Sequence, residues 1–442
     1  RTATMDKKYR LALALILVSL WMVSAAGFAA GKVYIDIDAP GFQQFPVAIL
    51  DFQNQKAGTG ASPNDPADSI RRYLDLTGIF RVLDKKSFLE GIEPGSPEVI
   101  RFSDWSAIGA DFLLRGNLRD GGNGLSAESR LYDVTRGQVI FEKKYSAPDG
   151  SPQTLGLSIA SDILLALTGD AGDFRTRIAF VIKKKSGSDI FTMNYDASDL
   201  KNMTNDHSIV AAPRWSPDGR YFAFTSYKNG RPMVFLRHLK TGKEKTIASF
   251  SGLNLCGSFS PDGRKILLTL SKDGNEEIYA LDIETMHLNR LTNSFSIDVS
   301  PAWSPDGRKI AFVSNRSGSP QIFVMDADGS NVKRVTFEGN YNTSPSWSPR
   351  GGRIAYEGLI NRKYQIFSAD EEGNNLIQLT FDEADNEYPS WSPSGRQIVF
   401  HSRQNGKSRI CIMNANGMNL RVLKESRDLL VMPAWSPRPG KQ

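Results

Sequence analysis

From residue 177 onward, apolar triplets recur at a fixed phase: Ile178-Ala179-Phe180, Phe222-Ala223-Phe224, Ile266-Leu267-Leu268, Ile310-Ala311-Phe312, Ile354-Ala355-Tyr356 and Ile398-Val399-Phe400. Each step is 44 residues. Short apolar runs bounded by turn residues predict buried strands. A further strand centres on Phe191, Phe235, Tyr279, Phe323, Phe367 and Cys411, and another ends at Met203-Thr204, Leu291-Thr292, Val335-Thr336 and Leu379-Thr380. Ahead of five triplets lies a short strand ending in an aromatic that opens a Ser-Pro turn: Trp215, Phe259, Trp303, Trp347 and Trp391, with a sixth copy at Trp435. Pro-Asp-Gly forms that turn at Pro217-Asp218-Gly219, Pro261-Asp262-Gly263 and Pro305-Asp306-Gly307. Proline presets φ, the carboxylate bonds its own turn and glycine takes the left-handed position, as a tight hairpin requires. Later copies relax the turn to Arg350-Gly351, Ser394-Gly395 and Arg438-Pro439.

Four strands in a repeat of this length predict a propeller blade. No blade buries both its faces alone, so each needs its neighbours. The first triplet has no aromatic motif before it, and Trp435 has no triplet after it. The strand at residues 431–436 is therefore expected to complete the blade begun at Ile178, hiding two sheet edges. The expectation is a mainly β protein: a C-terminal six-bladed β-propeller over residues 177–442, closed by its last strand.

A different pattern precedes the ring. Strands are predicted at residues 33–37, 47–50, 81–83, 112–118, 125–133 and 139–145, and helices at 66–76 and 152–167. Pro66 and Pro152 suit first helical turns, and Gly78 and Gly169 suit helix ends. Interleaved strands and helices predict a small α/β domain over residues 39–168, joined to the ring by a linker at 169–176.

The first 29 residues read as an address. Lys7, Lys8 and Arg10 precede an apolar stretch from Leu11 to Val23 and then small residues to Ala29. That order is a secretory signal peptide, with residues 1–4 upstream of its Met5 and cleavage after Ala29 or Ala26. The apolar part is short for a span of about 20 residues. The mature chain is expected to be a periplasmic protein, monomeric and without a membrane span. Of the formal net charge of +6, the leader carries +3. What remains is too small and too scattered for nucleic-acid binding.

Candidate chemistry is sparse. There is no Gly-x-Ser-x-Gly elbow, and His207, His238, His287 and His401 lack metal-ligand spacing. Asp326-Ala327-Asp328-Gly329 reads as a turn. No cofactor or metal is expected. Cys256 and Cys411 fall on blades three steps apart, too far for a bridge, so both thiols should be free.

The loops entering the first strands are the candidate recognition surface. Five residues before the aromatic stand Asn254, Asp298, Asn342 and Asn386, which are either contact residues or turn residues repeated for structure. Around them Leu253, Cys256, Val299, Tyr341 and Tyr388 differ between blades while Pro and Trp repeat. Variable positions on a constant scaffold suit partner recognition.

Several stretches together resemble the TolB family of periplasmic Tol-Pal proteins. They are Trp105 to Asp111, Leu167-Thr168-Gly169, Phe174 to Phe180 at the junction, and Pro433 to Pro437 at the end. The resemblance implies a non-enzymatic adaptor. It would bind the lipoprotein Pal through the propeller and TolA through residues 30–38, and support outer-membrane integrity and constriction during division. Outer-membrane proteins are further possible partners of such an adaptor. Placed on this sequence, it assigns Pal to the loop face just described and TolA to Val33, Tyr34, Ile35, Asp36 and Ile37, whose alternation suits strand addition. A peptidoglycan- or carbohydrate-binding propeller, or a propeller lyase or hydrolase, is the alternative.

Overall fold

The computed structural model describes residues 43–54, 65–88, 100–121 and 124–440. The predicted leader and the segment 30–38 lie outside the described residues.

The α/β domain is built on β1 (Phe45–Ile49), β2 (Gln53–Asn54), α1 (Ala67–Leu76), β3 (Phe80–Val82), α2 (Phe102–Ala107), β4 (Phe112–Gly121), β5 (Gly124–Asp133), β6 (Gln138–Ala147) and α3 (Pro152–Thr168). Its sheet runs β3-β1-β4-β5-β6, with β2 beside β4. β1 is parallel to β3 and β4, whereas β4, β5 and β6 form an antiparallel meander. Strict alternation along β5 sends Leu125, Ala127, Ser129 and Leu131 inward, and the helices α1 and α3 cover this core. Ser151 caps α3 by accepting from the Thr154 N–H at 3.2 Å, and Gly169 ends it at φ 77°, the left-handed close that spares a Cβ clash. The short α2, which sequence periodicity did not reveal, buries Trp105.

The ring has six four-stranded sheets. Blades 2 to 6 begin with inner strands at Val210–Trp215, Asn254–Phe259, Asp298–Trp303, Asn342–Trp347 and Asp385–Trp391. In blade 1 the inner strand is Leu429–Trp435, paired antiparallel with Arg177–Lys184, so Leu430 faces Ile182 and Trp435 faces Ile178.

Each part of the repeat has a bonding role. The serine after the aromatic holds the hairpin: Ser216 Oγ donates to Asp218 Oδ1 at 2.6 Å and accepts from the Tyr221 N–H at 2.8 Å. The indole N–H of Trp215, Trp347 and Trp391 reaches a carbonyl of the preceding blade, at Ala434, Ala302 and Ser346. Thr204, Thr292, Thr336 and Thr380 each accept a third-strand N–H at 2.9 Å, from Ile190, Ile278, Ile322 and Ile366. That continues the ladder where the outer strand leaves it.

Each inner strand carries a bulge. In five blades the bulged residue is left-handed and precedes proline: Ala212, Ser300, Ser344, Tyr388 and Met432, at φ 51° to 57°. Blade 3 has Cys256-Gly257 there instead.

The two domains share one apolar core, in which Tyr73, Phe174, Tyr195 and Trp435 meet. The segment 169–176 is packed into it, with Asp173 and Phe174 buried. Both cysteines are buried and free. Among the described residues no helix is long and apolar enough to cross a membrane.

Candidate partner-binding face

The ring has an upper face, where the inner strands begin, and a lower face, where they end in the Ser-Pro turns. The α/β domain sits on the lower face at blades 6 and 1. Gln397 Nε2 donates to Leu76 O at 2.8 Å, Asn419 Nδ2 to Gly78 O at 3.0 Å and Arg72 Nε to Asp196 O at 2.9 Å. Arg421 pairs with Asp75 at 3.1 Å, and Arg438 with Asp170 and Asp173 at 2.8 and 2.7 Å. Among the described residues nothing from the α/β domain reaches the upper face.

The upper face is shaped by the Asn/Asp column, and here the contact reading is corrected. Asn254, Asp298, Asn342 and Asn386 are buried. Asn254 Nδ2 donates to Phe250 O at 2.8 Å and its Oδ1 accepts from the Phe250 N–H at 2.9 Å. Asn342 Nδ2 bridges Gln321 Oε1 and Glu338 O, both at 2.8 Å, and Asn386 Nδ2 reaches Gln365 Oε1 at 3.2 Å. Asp298 accepts from Arg316 at 2.8 Å. An unpaired buried loop backbone is costly, so these side chains are committed to holding the loops. Cys256 is corrected likewise: it is buried against the channel, and burial pushes its thiol up to about 12.

Other predicted residues do lie at the surface. Tyr341 is exposed and rests edge-on against Tyr364, with ring centres 5.9 Å apart. Leu253, Val299 and Tyr388 are half-buried, Tyr388 at the channel mouth.

The sequence reading missed Ile209, Phe295 and Ile297. All are exposed on the same face, Phe295 fully so at a loop tip held by Asn275 through Ser294 O and Ser296 O. The position six before the aromatic reads Ile209, Leu253, Ile297, Tyr341, Asp385 and Leu429. Its apolar bias, one residue from the column chosen, was the available signal.

A carboxylate with no cation beside it among the described residues sits beneath this rim. Glu357 accepts from the Thr343 hydroxyl and, at 2.7 Å, from the Tyr388 N–H of the next blade. Burial pushes its carboxyl up to about 7; the hydrogen bonds oppose that and Glu387 adds to it. Thr225 does the same bonding with a hydroxyl, accepting the Cys256 N–H at 3.0 Å.

The family model for the TolB beta propeller domain matches residues 165–439, and that for the TolB amino-terminal domain matches residues 33–140. The chain belongs to the TolB family. A Tol-Pal system protein TolB of Syntrophus aciditrophicus is 46% identical over 228 residues, half of each chain. That of Desulfosudis oleivorans is 36% identical over 252 residues, covering 55% of this chain and 57% of the relative. The chain thus spans about half the length of the curated relatives it matches. The crystal structure of TolB from Acinetobacter baumannii is 30% identical, with a TM-score of 0.79 over 89% of this chain and 97% of that one.

Proposed function

We propose that this protein is a non-enzymatic periplasmic adaptor of the Tol-Pal system. It binds Pal across the upper face of its propeller and TolA through residues 30–38, supporting outer-membrane integrity and constriction during division. The reading draws on family membership. One observation carries the choice of face: among the described residues the α/β domain takes the lower face and leaves the upper one uncovered, with Phe295, Ile297, Tyr341 and Ile209 exposed. Exposed aromatic and aliphatic residues among polar loops suit a protein interface.

The test is calorimetric titration of the full chain with the periplasmic domain of Pal. Charged replacements at Phe295, Ile297 and Tyr341 should weaken binding at least roughly tenfold with little change in melting temperature. Wild-type affinity in that folded variant would move the interface elsewhere. Deleting residues 30–38 should abolish TolA binding and leave Pal bound. Unchanged TolA binding would remove that segment from the account.

A further inference from the structure

The six inner strands enclose a channel cavity of about 460 Å³. Its wall is mostly proline, serine, alanine and tryptophan, with a few larger apolar side chains such as Leu255 and Met432, and among the described residues it includes no Asp or Glu. One wall residue carries charge, Arg214. The repeat shows how unusual that is. The same position in the other blades is Ser258, Ala302, Ser346, Ser390 and Ala434. Five blades thus ring the channel with small side chains, and blade 2 sends a guanidinium into the space they leave.

That guanidinium has little to bond. Nη1 donates to the neighbouring Pro213 carbonyl at 2.9 Å. Among the described residues Arg214 forms no ion pair, and burial holds its pKa below the ordinary arginine value. Arg214 is half-buried, and the rest of its planar, five-donor group is open to the channel with no protein partner among the described residues.

A second donor in the same wall is also unused. Among the described residues the buried indole N–H of Trp303 has no partner, although its counterparts in blades 2, 5 and 6 reach the preceding inner strand. In blade 3 that strand carries Cys256-Gly257 in place of the left-handed residue and proline.

We propose that the channel is an oxyanion-binding site. Arg214 is its cation, Trp303 Nε1 is a neutral donor, and hydroxyls such as those of Ser258 and Ser346 line the space; the ligand is a carboxylate- or phosphate-bearing group. Guanidinium matches both oxyanions through paired N–H donors. The proposal does not depend on which face binds Pal.

The test is calorimetric titration of the full chain, in chloride buffer at constant ionic strength, with inorganic phosphate and with succinate. Wild type should bind at least one of them saturably at one site per chain. Arg214→Ser should lower the affinity roughly tenfold or more. Serine is the residue blades 3, 5 and 6 carry there, so the ring is retained. Trp303→Phe, which copies Phe259 of blade 3, should weaken binding several-fold and serves if the first variant fails to fold. Tighter phosphate binding assigns the site to a phosphorylated group and tighter succinate binding to a carboxylate, and both uphold it. Absence of saturable binding of either probe to wild type overturns the proposal. So does unchanged affinity in folded Arg214→Ser.

Discussion

Replacing Glu357 by glutamine should stabilise the protein, by an amount that grows as pH rises from about 4.5 to 7. The carboxyl lies between blades 5 and 6 with no cation beside it among the described residues, and its pKa is displaced from 4.5 to about 7. At about 1.4 kcal/mol per pH unit, that corresponds to about 3 kcal/mol against the ionised form. Below pH 4.5 the group is protonated in folded and unfolded chains alike, so there is no penalty. Between 4.5 and 7 the folded chain holds more proton than the unfolded one, and stability falls as pH rises. Above 7 the penalty is fully present. Glutamine escapes it and keeps the bonds, since its oxygen can accept the Tyr388 N–H while its amide donates to the Thr343 hydroxyl. Scanning calorimetry of both forms at pH 4 and pH 8 should show nearly equal melting at pH 4. At pH 8 the variant should lead by on the order of 3–6 °C. The same difference at both pH values, or a less stable variant at pH 8, would refute the reasoning.

Tryptophan-to-phenylalanine changes should separate by blade. Trp215→Phe leaves the Ala434 carbonyl unpaired and should lower stability about 1 kcal/mol more than Trp303→Phe, whose N–H has no partner to lose; equal losses in denaturant titrations would contradict this. Truncation after Asp428 removes the strand paired with Arg177–Lys184 and should strongly lower the melting temperature, whereas wild-type melting would show that this strand does not support the ring. Burial pushes both Cys256 and Cys411 thiols up to about 12. Thiolate-directed reagents at pH 8 should therefore label neither in the folded chain and both after unfolding, and fast native labelling would show the channel wall to be open.

The ring was legible because one insertion-free period places every strand at the same phase, from Ile178 to Trp435. Periodicity could not show why a repeated residue repeats. The Asn254 column and the Thr204 column look alike as polar positions, and only the loop carbonyls around Asn254 show it to be a brace and not a contact. The six residues of α2 are too few for a helical stripe, so Trp105 was visible as a motif but not as the anchor of a helix. Phe295 had no counterpart in neighbouring copies to mark it. Arg214 stood out against serine and alanine in the aligned repeats, but which way that column points depends on the bulge beside it.

The closing strand also sets where the ring is mechanically weakest. Every step from blade to blade follows the chain, and the sole join without a peptide bond lies within blade 1, between Leu429–Trp435 and Arg177–Lys184. The α/β domain is fastened on either side of that join, through Arg421 and Gln397 on blade 6 and Asp196, which accepts from Arg72, on blade 1. Arg438, just past the closing strand, clasps Asp170 and Asp173, just before its partner. Tension on the small domain is therefore delivered to the seam itself. The clasp acts as a latch across it, resisting separation along the line in which the two strands would peel apart.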